Sequence, residues 1–212
     1  MKPQFLSIIV PGRNEKHTLT ALVGRIHASL SSASISYEII FVDDRSTDGT
    51  VAIMERLTKL YPIRIHHKQG KLGKAYSILE GARLATSEWV VMIDADLQYG
   101  PEVIPAMVEQ AEKHDVVVAN RKTYKSSLYR RFISRANTYI FGKLLHGLNV
   151  DVQSGLKIFR KDIIEHIDVR AVRSWSLDIP LLFTARELGL SIGSVDIDFE
   201  LRVNGKSHVL LL

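Results

Sequence analysis

The 212-residue sequence contains no cysteine, which excludes both a disulfide scaffold and a thiolate metal site. It has no run of about 18 apolar residues, so it offers no membrane-spanning helix. Its short apolar start stops at Pro11 without a cleavage signature, which does not match a secretory signal peptide. A Gly-x-Gly-x-x-Gly fingerprint is also missing after the first apolar run, so a dinucleotide-dependent dehydrogenase is not expected.

Acidic residues are absent from one segment, residues 121–150, which carries seven lysines and arginines. Taking these seven from the formal charge of +5 leaves −2 for the rest of the chain. The basic excess therefore belongs to one region, where it forms either a solvated helix face or a surface that meets phosphate groups. Nucleic acid is not expected as a partner, because acidic residues predicted beside this region would repel a phosphate backbone.

The first half of the chain alternates short strands with amphipathic helices. The strands are rich in isoleucine and valine and are predicted at Phe5–Val10, Glu38–Val42, Ile63–His67, Trp89–Ile93 and Val116–Ala119. Helical patterns lie between them, at Leu19–Leu30, Val51–Leu60, Lys74–Leu84 and Glu102–Lys113. Nearly continuous apolar strands that alternate with helices predict an α/β fold, with a mostly parallel sheet covered by helices on both faces.

The pattern changes after residue 120. A long helix is predicted at about 127–145, where an apolar residue recurs at every fourth position. Its apolar stripe suits either core packing or the surface of a membrane. The elements after it are a strand, a helix and a strand, at Leu156–Phe159, Asp178–Leu188 and Ile192–Phe199. The length predicts a single domain over residues 1–212.

Polar side chains follow three of the predicted strands at the point where each strand ends. They are Asn14-Glu15, Asp43-Asp44 and Asp94-Ala95-Asp96. Parallel strands end at one edge of the sheet, and ligands of α/β proteins bind at that edge. The three groups therefore predict one binding site.

Asp94 and Asp96 place two carboxylates one residue apart at the end of a buried strand. In an extended segment such residues point to the same side, where they repel each other unless a cation lies between them. Oxygen ligands favour Mg²⁺ or Mn²⁺, and Gln98, two residues further on, offers a neutral oxygen. The alternative is a pair of acids that cap a turn, with Asp96 solvated.

Five segments of the chain follow the order of motifs in a known enzyme family. They are VDDRSTDGT (42–50), GKLGKAYSILEGARLA (70–85), DADLQYGPEVIPAM (94–107), DVQSGLKIFR (151–160) and ELRVNGKSH (200–208). Together they resemble the inverting family 2 glycosyltransferases of the GT-A fold, above all the polyprenyl-phosphate branch with dolichyl-phosphate mannose synthase and dolichyl-phosphate glucosyltransferase. The family's Pro-x-x-Asn-Glu motif is present from Pro11 to Glu15, whereas Arg45 replaces the glycine of the usual VDDGSTDGT.

The resemblance implies a GT-A fold with a Rossmann-like nucleotide-binding half, residues 1–120, and an acceptor-binding half, residues 121–212. It implies that a set of residues in the first half binds the donor nucleotide: Pro11, Arg13, Glu15, Asp44, Lys71, Lys74, Asp94 and Ala95. Asp94, Asp96 and Gln98 would hold a divalent metal, Mg²⁺ or Mn²⁺, on the diphosphate, where it helps the leaving group depart. Gln153 and Asp178 would contact the donor sugar.

For the acceptor, the resemblance implies a polyprenyl phosphate of the dolichyl type. An ionised phosphate needs no general base, but it needs cations, and guanidinium groups form paired bonds with it. The residues implied at this site are Arg121, Arg131, Ser134, Arg135, Arg202 and Lys206. Catalytic roles would fall to Asp96, Arg121 and Arg131.

The function implied is metal-dependent, inverting transfer of a monosaccharide from a UDP- or GDP-sugar to polyprenyl phosphate, at the cytoplasmic face of a membrane. The apolar HVLLL at 208–212 is either a packed tail or the start of a transmembrane segment that this chain lacks. Two other functions stay open. One is transfer to a saccharide hydroxyl with Asp178 as the base, and the other is a nucleotide-sugar-binding module without turnover.

Overall fold

The computed structural model describes residues 2–123 and 150–198. Several predictions fall outside these residues, namely the amphipathic helix at 127–145, the end of the last strand at Phe199, and the acceptor residues Arg131, Ser134, Arg135, Arg202 and Lys206. Within the described ranges, no helix has the length and hydropathy needed to cross a bilayer.

The described residues form one sheet with helices on both faces. Its strands are β1 Phe5–Gly12, β2 Ser36–Asp43, β3 Ile63–His67, β4 Trp89–Ile93, β5 Val116–Thr123, β6 Leu156–Arg160 and β7 Ile192–Asp198. The helices are α1 Leu19–Ser32, α2 Thr50–Leu57, α3 Lys74–Leu84, α4 Ile104–Gln110, α5 Ile163–His166 and α6 Asp178–Glu187. Short 3₁₀ turns occupy Pro101–Val103 and Val169–Ala171.

The strand order is β3-β2-β1-β4-β6-β5-β7. β1 to β4 run parallel, as do β5 and β7, whereas β6 is antiparallel to both of its neighbours. The chain leaves β1 toward β2 and β3 and later returns to the other side of β1 as β4. This reversal opens a crevice beyond the carboxyl ends of β1 and β4, the usual ligand position in such sheets.

Alternate residues of the central strands pack against opposite helix layers. Ile8 of β1 and Val91 of β4 lie in the cluster that contains α1 and α4, whereas Ile9 and Val90 lie in the cluster that contains α3 and α6. All four side chains are fully buried, and each contributes roughly 1.5–3 kcal/mol of hydrophobic stabilisation. Burial on both faces explains why these strands are almost continuously apolar.

The predicted α/β fold with a mostly parallel sheet is confirmed, and two helices differ from the prediction. The helix expected at Glu102–Lys113 is instead a 3₁₀ turn followed by the shorter α4. A continuous helix from Pro101 would need an N–H at residue 105 to reach the carbonyl of residue 101, and Pro105 has none. The short α5 was not predicted, because four residues are too few to show a helical repeat.

Candidate active site

The loops after β1 and β2 interlock at the carboxyl edge of the sheet. Asn14, in a left-handed conformation with φ of 59°, accepts a hydrogen bond at Oδ1 from Thr47 N at 2.8 Å. Its own N–H donates to Ser46 Oγ at 3.0 Å, and Glu15 N donates to Thr50 Oγ1 at 2.9 Å. These reciprocal bonds fix the Asn-Glu motif against the first turn of α2.

Three residues predicted to bind the nucleotide lie on this edge with different exposure. Pro11 and Glu15 are partly buried, and Arg13 is exposed. The guanidinium of Arg13 is thus accessible to a ligand in the crevice, and the nucleotide-binding roles of all three stay predictions.

Asp44 is joined to a buried lysine that the sequence reasoning missed. Asp44 Oδ1 lies 3.0 Å from Lys68 Nζ, and the lysine side chain is fully buried. The same ammonium donates to Gly73 O at 2.8 Å and to Ser77 Oγ at 3.0 Å, while Gly73 N donates to Asp44 Oδ2 at 2.8 Å. Asp44 therefore anchors the loop before α3, and its predicted contact with the nucleotide stays a prediction.

Arg45, which replaces the glycine of the usual family motif, adds a second tie to the same loop. Its φ of 63° is left-handed, the conformation that glycine adopts at least cost. Its guanidinium donates to the carbonyls of Gln69 and Gly70 at 3.1 and 3.2 Å. Arg45 thus has a backbone conformation typical of glycine, and its side chain adds two hydrogen bonds to the loop at residues 69 and 70.

The Asp94–Gln98 segment is a turn capped by Asp96, which was the alternative prediction, and not the extended segment. β4 ends at Ile93, Leu97 adopts a left-handed φ of 62°, and Asp96 Oδ1 accepts a hydrogen bond from Gln98 N at 3.1 Å. The prediction of an extended segment was wrong because a buried Leu97 bends the chain back toward the core. Burial still alternates, since Ala95 and Leu97 are buried while Asp94, Asp96 and Gln98 are partly exposed.

Lys74, the first residue of α3, reaches across the crevice to Asp94. Its Nζ lies 2.6 Å from Asp94 Oδ1. Burial alone would lower the pKa of Lys74, but the negative charges of Asp94 and Asp178 outweigh it and raise the pKa. The lysine therefore stays protonated among carboxylates that belong to different elements of the fold.

Gly155 determines how closely the second half of the chain approaches Asp94. A Cβ built on Gly155 would overlap Asp94 Oδ2 and would press on the ring of Tyr99. Tyr99 is buried, and burial raises the pKa of its phenol far above the ordinary value. A glycine is therefore required where the turn before β6 lies against the carboxylate.

A second buried lysine, Lys157, holds Asp178. Lys157 Nζ lies 2.5 Å from Asp178 Oδ1 and also donates to the carbonyl of Ser154, while Ser176 Oγ donates to Asp178 Oδ2 at 3.2 Å. Burial lowers the pKa of Lys157, and the attraction of Asp178 offsets this only in part. The negative charge of Asp178 also helps to raise the pKa of Lys74.

Arg121 lies at the end of β5 and forms a forked pair with Asp151. Its Nη2 donates to Asp151 Oδ1 at 2.9 Å, and its Nε donates to Asp151 Oδ2. Asp151 N in turn donates to Asn120 Oδ1 at 2.7 Å. Both side chains are largely buried, so Arg121 braces the turn before β6, and its role toward an acceptor phosphate stays a prediction.

The structure brings together some of the predicted residues and separates others. Asp94, Lys74 and Asp178 form one charged group. Gln153 is exposed in the turn before β6, and Lys71 directs its ammonium over the ring of Tyr76, 5.6 Å from the ring centroid. Lys68 and Lys157 were missed because a lysine side chain is ordinarily exposed.

The fit of a divalent metal follows from the donor atoms of the Asp94–Gln98 turn. Within residues 2–123 and 150–198, no three acidic, histidine or cysteine side chains form a metal cluster. Asp94, Asp96 and Gln98 are partly exposed oxygen donors, and the negative charge of Asp94 already attracts one cation, the ammonium of Lys74. These residues fit a hard cation that takes its remaining ligands from phosphate and water.

Comparison with known proteins gives relatives along nearly the whole chain. The family model for Glycosyl transferase family 2 matches residues 7–168. A dolichol-phosphate mannosyltransferase of Pyrococcus furiosus is 27% identical over 96% of this chain, which spans 59% of the relative's length. A polyprenol monophosphomannose synthase of Mycolicibacterium smegmatis is 28% identical, with 87% of this chain and 79% of the relative covered. The Saccharomyces cerevisiae dolichol-phosphate mannosyltransferase is 30% identical, with 96% and 80% covered.

Solved structures share the architecture at lower identity. Glucosyl-3-phosphoglycerate synthase from Mycobacterium tuberculosis, in complex with Mn²⁺, UDP-glucose and phosphoglyceric acid, superposes with a TM-score of 0.72 at 18% identity, covering 96% of this chain and 73% of that one. A mannosyltransferase from Pyrobaculum calidifontis with GDP-mannose and Mn²⁺ gives 0.64 at 20% identity, covering 90% and 54%. These likenesses show the GT-A fold that the sequence predicted.

Proposed function

The chain belongs to glycosyl transferase family 2, and on that premise we propose that it transfers a sugar from a nucleoside diphosphate sugar to a polyprenyl phosphate. The observation that carries this proposal is the match to three relatives named for mannosyl transfer to dolichol or polyprenol phosphate, at 27–30% identity. Because all three names specify mannose, GDP-mannose is the first donor to test.

The donor would lie in the crevice between the ends of β1 and β4. The interlocked loops after β1 and β2 and the loop before α3 form its walls. Carboxylates there accept hydrogen bonds from ribose hydroxyls and base N–H groups. Lys74, at the opposite wall, places its ammonium where a diphosphate would follow the nucleoside.

Asp94, Asp96 and Gln98 would hold a divalent ion, Mg²⁺ or Mn²⁺, which supplies Lewis-acid stabilisation of the charge on the departing diphosphate. The turn geometry supports this role, because Asp96 accepts a hydrogen bond from the Gln98 N–H and the turn before β6 lies directly against Asp94 at Gly155. Preorganised ligands lose little freedom when the donor binds.

The acceptor phosphate is ionised at neutral pH, so it attacks the anomeric carbon without a base. Attack from the face opposite the diphosphate inverts the anomeric centre. The alternative with Asp178 as a base is disfavoured, because Asp178 is held 2.5 Å from the buried ammonium of Lys157. The other carboxylate oxygen of Asp178 accepts a hydrogen bond from Ser176 Oγ at 3.2 Å, so both oxygens are already engaged.

The acceptor half is the part of this proposal that depends on residues outside the described ranges. We infer that residues 1–120 bind the donor and that residues 121–212 bind the acceptor within one catalytic domain. Arg131, Ser134, Arg135, Arg202 and Lys206 would then hold the lipid phosphate. A polyprenyl lipid resides in a membrane, so the enzyme would work at a membrane surface, on its cytoplasmic face.

The function is tested by incubating the protein with polyprenyl phosphate, Mn²⁺ or Mg²⁺, and a panel of GDP- and UDP-sugars. Sugar recovered in the organic phase measures transfer, and NMR of the product gives its anomeric configuration. We expect one donor to give product of inverted configuration and EDTA to abolish its formation. Donor binding without transfer to polyprenyl phosphate would contradict the proposal and would favour a binding module.

A further inference from the structure

Lys74 lies next to Asp94, one of the residues that would hold the divalent metal in the proposed function. Its ammonium lies 2.6 Å from Asp94 Oδ1. The two side chains are 33% and 22% exposed, so the pair is accessible to ions from solvent. The lysine and the carboxylate come from different elements, the start of α3 and the end of β4, and their contact spans the crevice.

We propose that Lys74 is the resident counter-cation of Asp94, which neutralises this carboxylate while no metal is bound and releases it when the divalent ion and the donor enter. The inference rests on the proposed function, since it requires the metal to bind at Asp94. What it adds to the proposed function is that Lys74 leaves Asp94 for another anionic group when the metal binds.

The exchange follows from the short distance between the two charged groups. A divalent ion binds carboxylate oxygen at about 2.0–2.1 Å in the case of Mg²⁺. An ammonium that stays hydrogen-bonded to the same carboxylate would then lie within a few ångströms of a doubly charged ion and would be repelled. The metal and the ammonium therefore compete for Asp94.

Asp178 adds negative charge to the surroundings of the displaced ammonium. Its charge already acts on Lys74, and its position is fixed by Lys157 at 2.5 Å and by Ser176. The diphosphate of the donor offers further oxygens. After it leaves Asp94, the ammonium of Lys74 would therefore still be surrounded by negative charge, that of Asp178 and of the diphosphate.

The test is Mn²⁺ binding without nucleotide, measured by calorimetry on the full chain. Lys74→Gln removes the competitor, so we expect it to bind Mn²⁺ about three- to tenfold more tightly than the wild type. Lys74→Arg keeps a cation at this place and should retain the wild-type affinity. Lys59→Gln removes the same charge from an exposed position between the end of α2 and the start of β3, at the opposite edge of the sheet from Asp94, and should leave Mn²⁺ affinity within about twofold of the wild type.

The nucleotide affinity of Lys74→Gln should change in the opposite direction to its Mn²⁺ affinity. In saturating Mn²⁺, Lys74→Gln should bind GDP or UDP more weakly, because the ammonium no longer meets the diphosphate. General damage to the site would weaken both metal and nucleotide, so tighter metal with weaker nucleotide identifies the exchange. Melting temperatures of the variants verify that each one is folded.

Two results would overturn the inference, and they differ in what else they affect. If Asp94→Asn abolishes Mn²⁺ binding but Lys74→Gln binds Mn²⁺ no more tightly than the wild type, the exchange is wrong and the metal assignment stands. If the wild type and Asp94→Asn bind Mn²⁺ equally, the metal assignment fails together with the exchange. Transfer to polyprenyl phosphate is measured in a separate assay on the wild type, so failure of the proposed function can be distinguished from both results.

Discussion

Lys157 Nζ lies 2.5 Å from Asp178 Oδ1, and the lysine side chain is completely buried. The same ammonium donates to Ser154 O, so one cation joins the turn before β6 to the start of α6. Removing one partner of such a pair leaves an uncompensated charge inside the protein, which costs more than the pair itself contributes.

Lys157→Met is therefore expected to lower the free energy of unfolding by about 3–5 kcal/mol, measured by urea denaturation. The double variant Lys157→Met/Asp178→Asn removes both charges and should recover part of this loss. A single variant that loses less than about 1 kcal/mol would show that the pair has no structural role.

Lys68 is a second buried lysine next to a carboxylate, here Asp44 beside the predicted nucleotide site. Lys68→Met leaves Asp44 without its ammonium and frees the loop before α3. We expect a loss of about 3 kcal/mol in unfolding free energy and weaker binding of the donor nucleotide in titration calorimetry. Lys71→Met, a change at an exposed lysine of the same loop, should alter stability by no more than about 0.5 kcal/mol.

Gly155→Ala tests the approach of the β6 turn to Asp94. The added methyl group would overlap the Asp94 carboxylate, so the carboxylate must shift. A misplacement of about 1 Å reduces catalysis by roughly 100-fold, and we expect kcat/KM for transfer to fall by this order. Gly24→Ala, at a helix position with open space around it, should leave kcat/KM unchanged. Wild-type turnover in Gly155→Ala would show that Asp94 needs no fixed position.

The interactions of Glu38 predict that the stability of the fold decreases at acidic pH. Burial alone would raise the pKa of Glu38, but hydrogen bonds from Ser7 and Thr86, and the charge of Arg64, outweigh it and lower the pKa below 4.5. A lowered carboxyl pKa contributes stability above 4.5, and this stability is lost as pH falls through the lowered value.

Glu38→Gln should therefore be less stable than the wild type at neutral pH, and the difference should shrink below about pH 4. Urea denaturation at a series of pH values measures it. Glu112→Gln, which removes the same charge from an exposed position, serves as the control. A difference between Glu38→Gln and the wild type that stays constant from neutral to acidic pH would refute the assignment.

The sequence was sufficient to predict the sheet, because Ile and Val runs such as Ile8–Val10 and Val90–Ile93 are buried on both faces. The position of Asp94 and Asp96 at the binding edge of the sheet could also be predicted from the sequence, since parallel strands bring their ends to one edge. A turn at these acids was one of the two alternatives, but the left-handed conformation of Leu97 was not predicted, because a left-handed leucine has no sequence signal.

The two buried lysines mark the limit of the sequence reasoning. Lys68 and Lys157 find their carboxylates, Asp44 and Asp178, only after the chain has folded. A lysine is ordinarily an exposed residue, and nothing in local spacing distinguishes these two from the surface lysines. Their position directly after β3 and within β6, at strands that carry the site, is the signal that could have identified them.

The central claim is that acids at the end of β4 hold a cation that allows sugar to pass to a lipid phosphate. Its most direct test is the formation of lipid-linked sugar from GDP-mannose or the preferred donor, Mn²⁺ and polyprenyl phosphate by the wild type and by Asp96→Asn. The wild type should form product in proportion to enzyme, and folded Asp96→Asn should lose transfer by at least about 100-fold. Equal product from both proteins would contradict the claim.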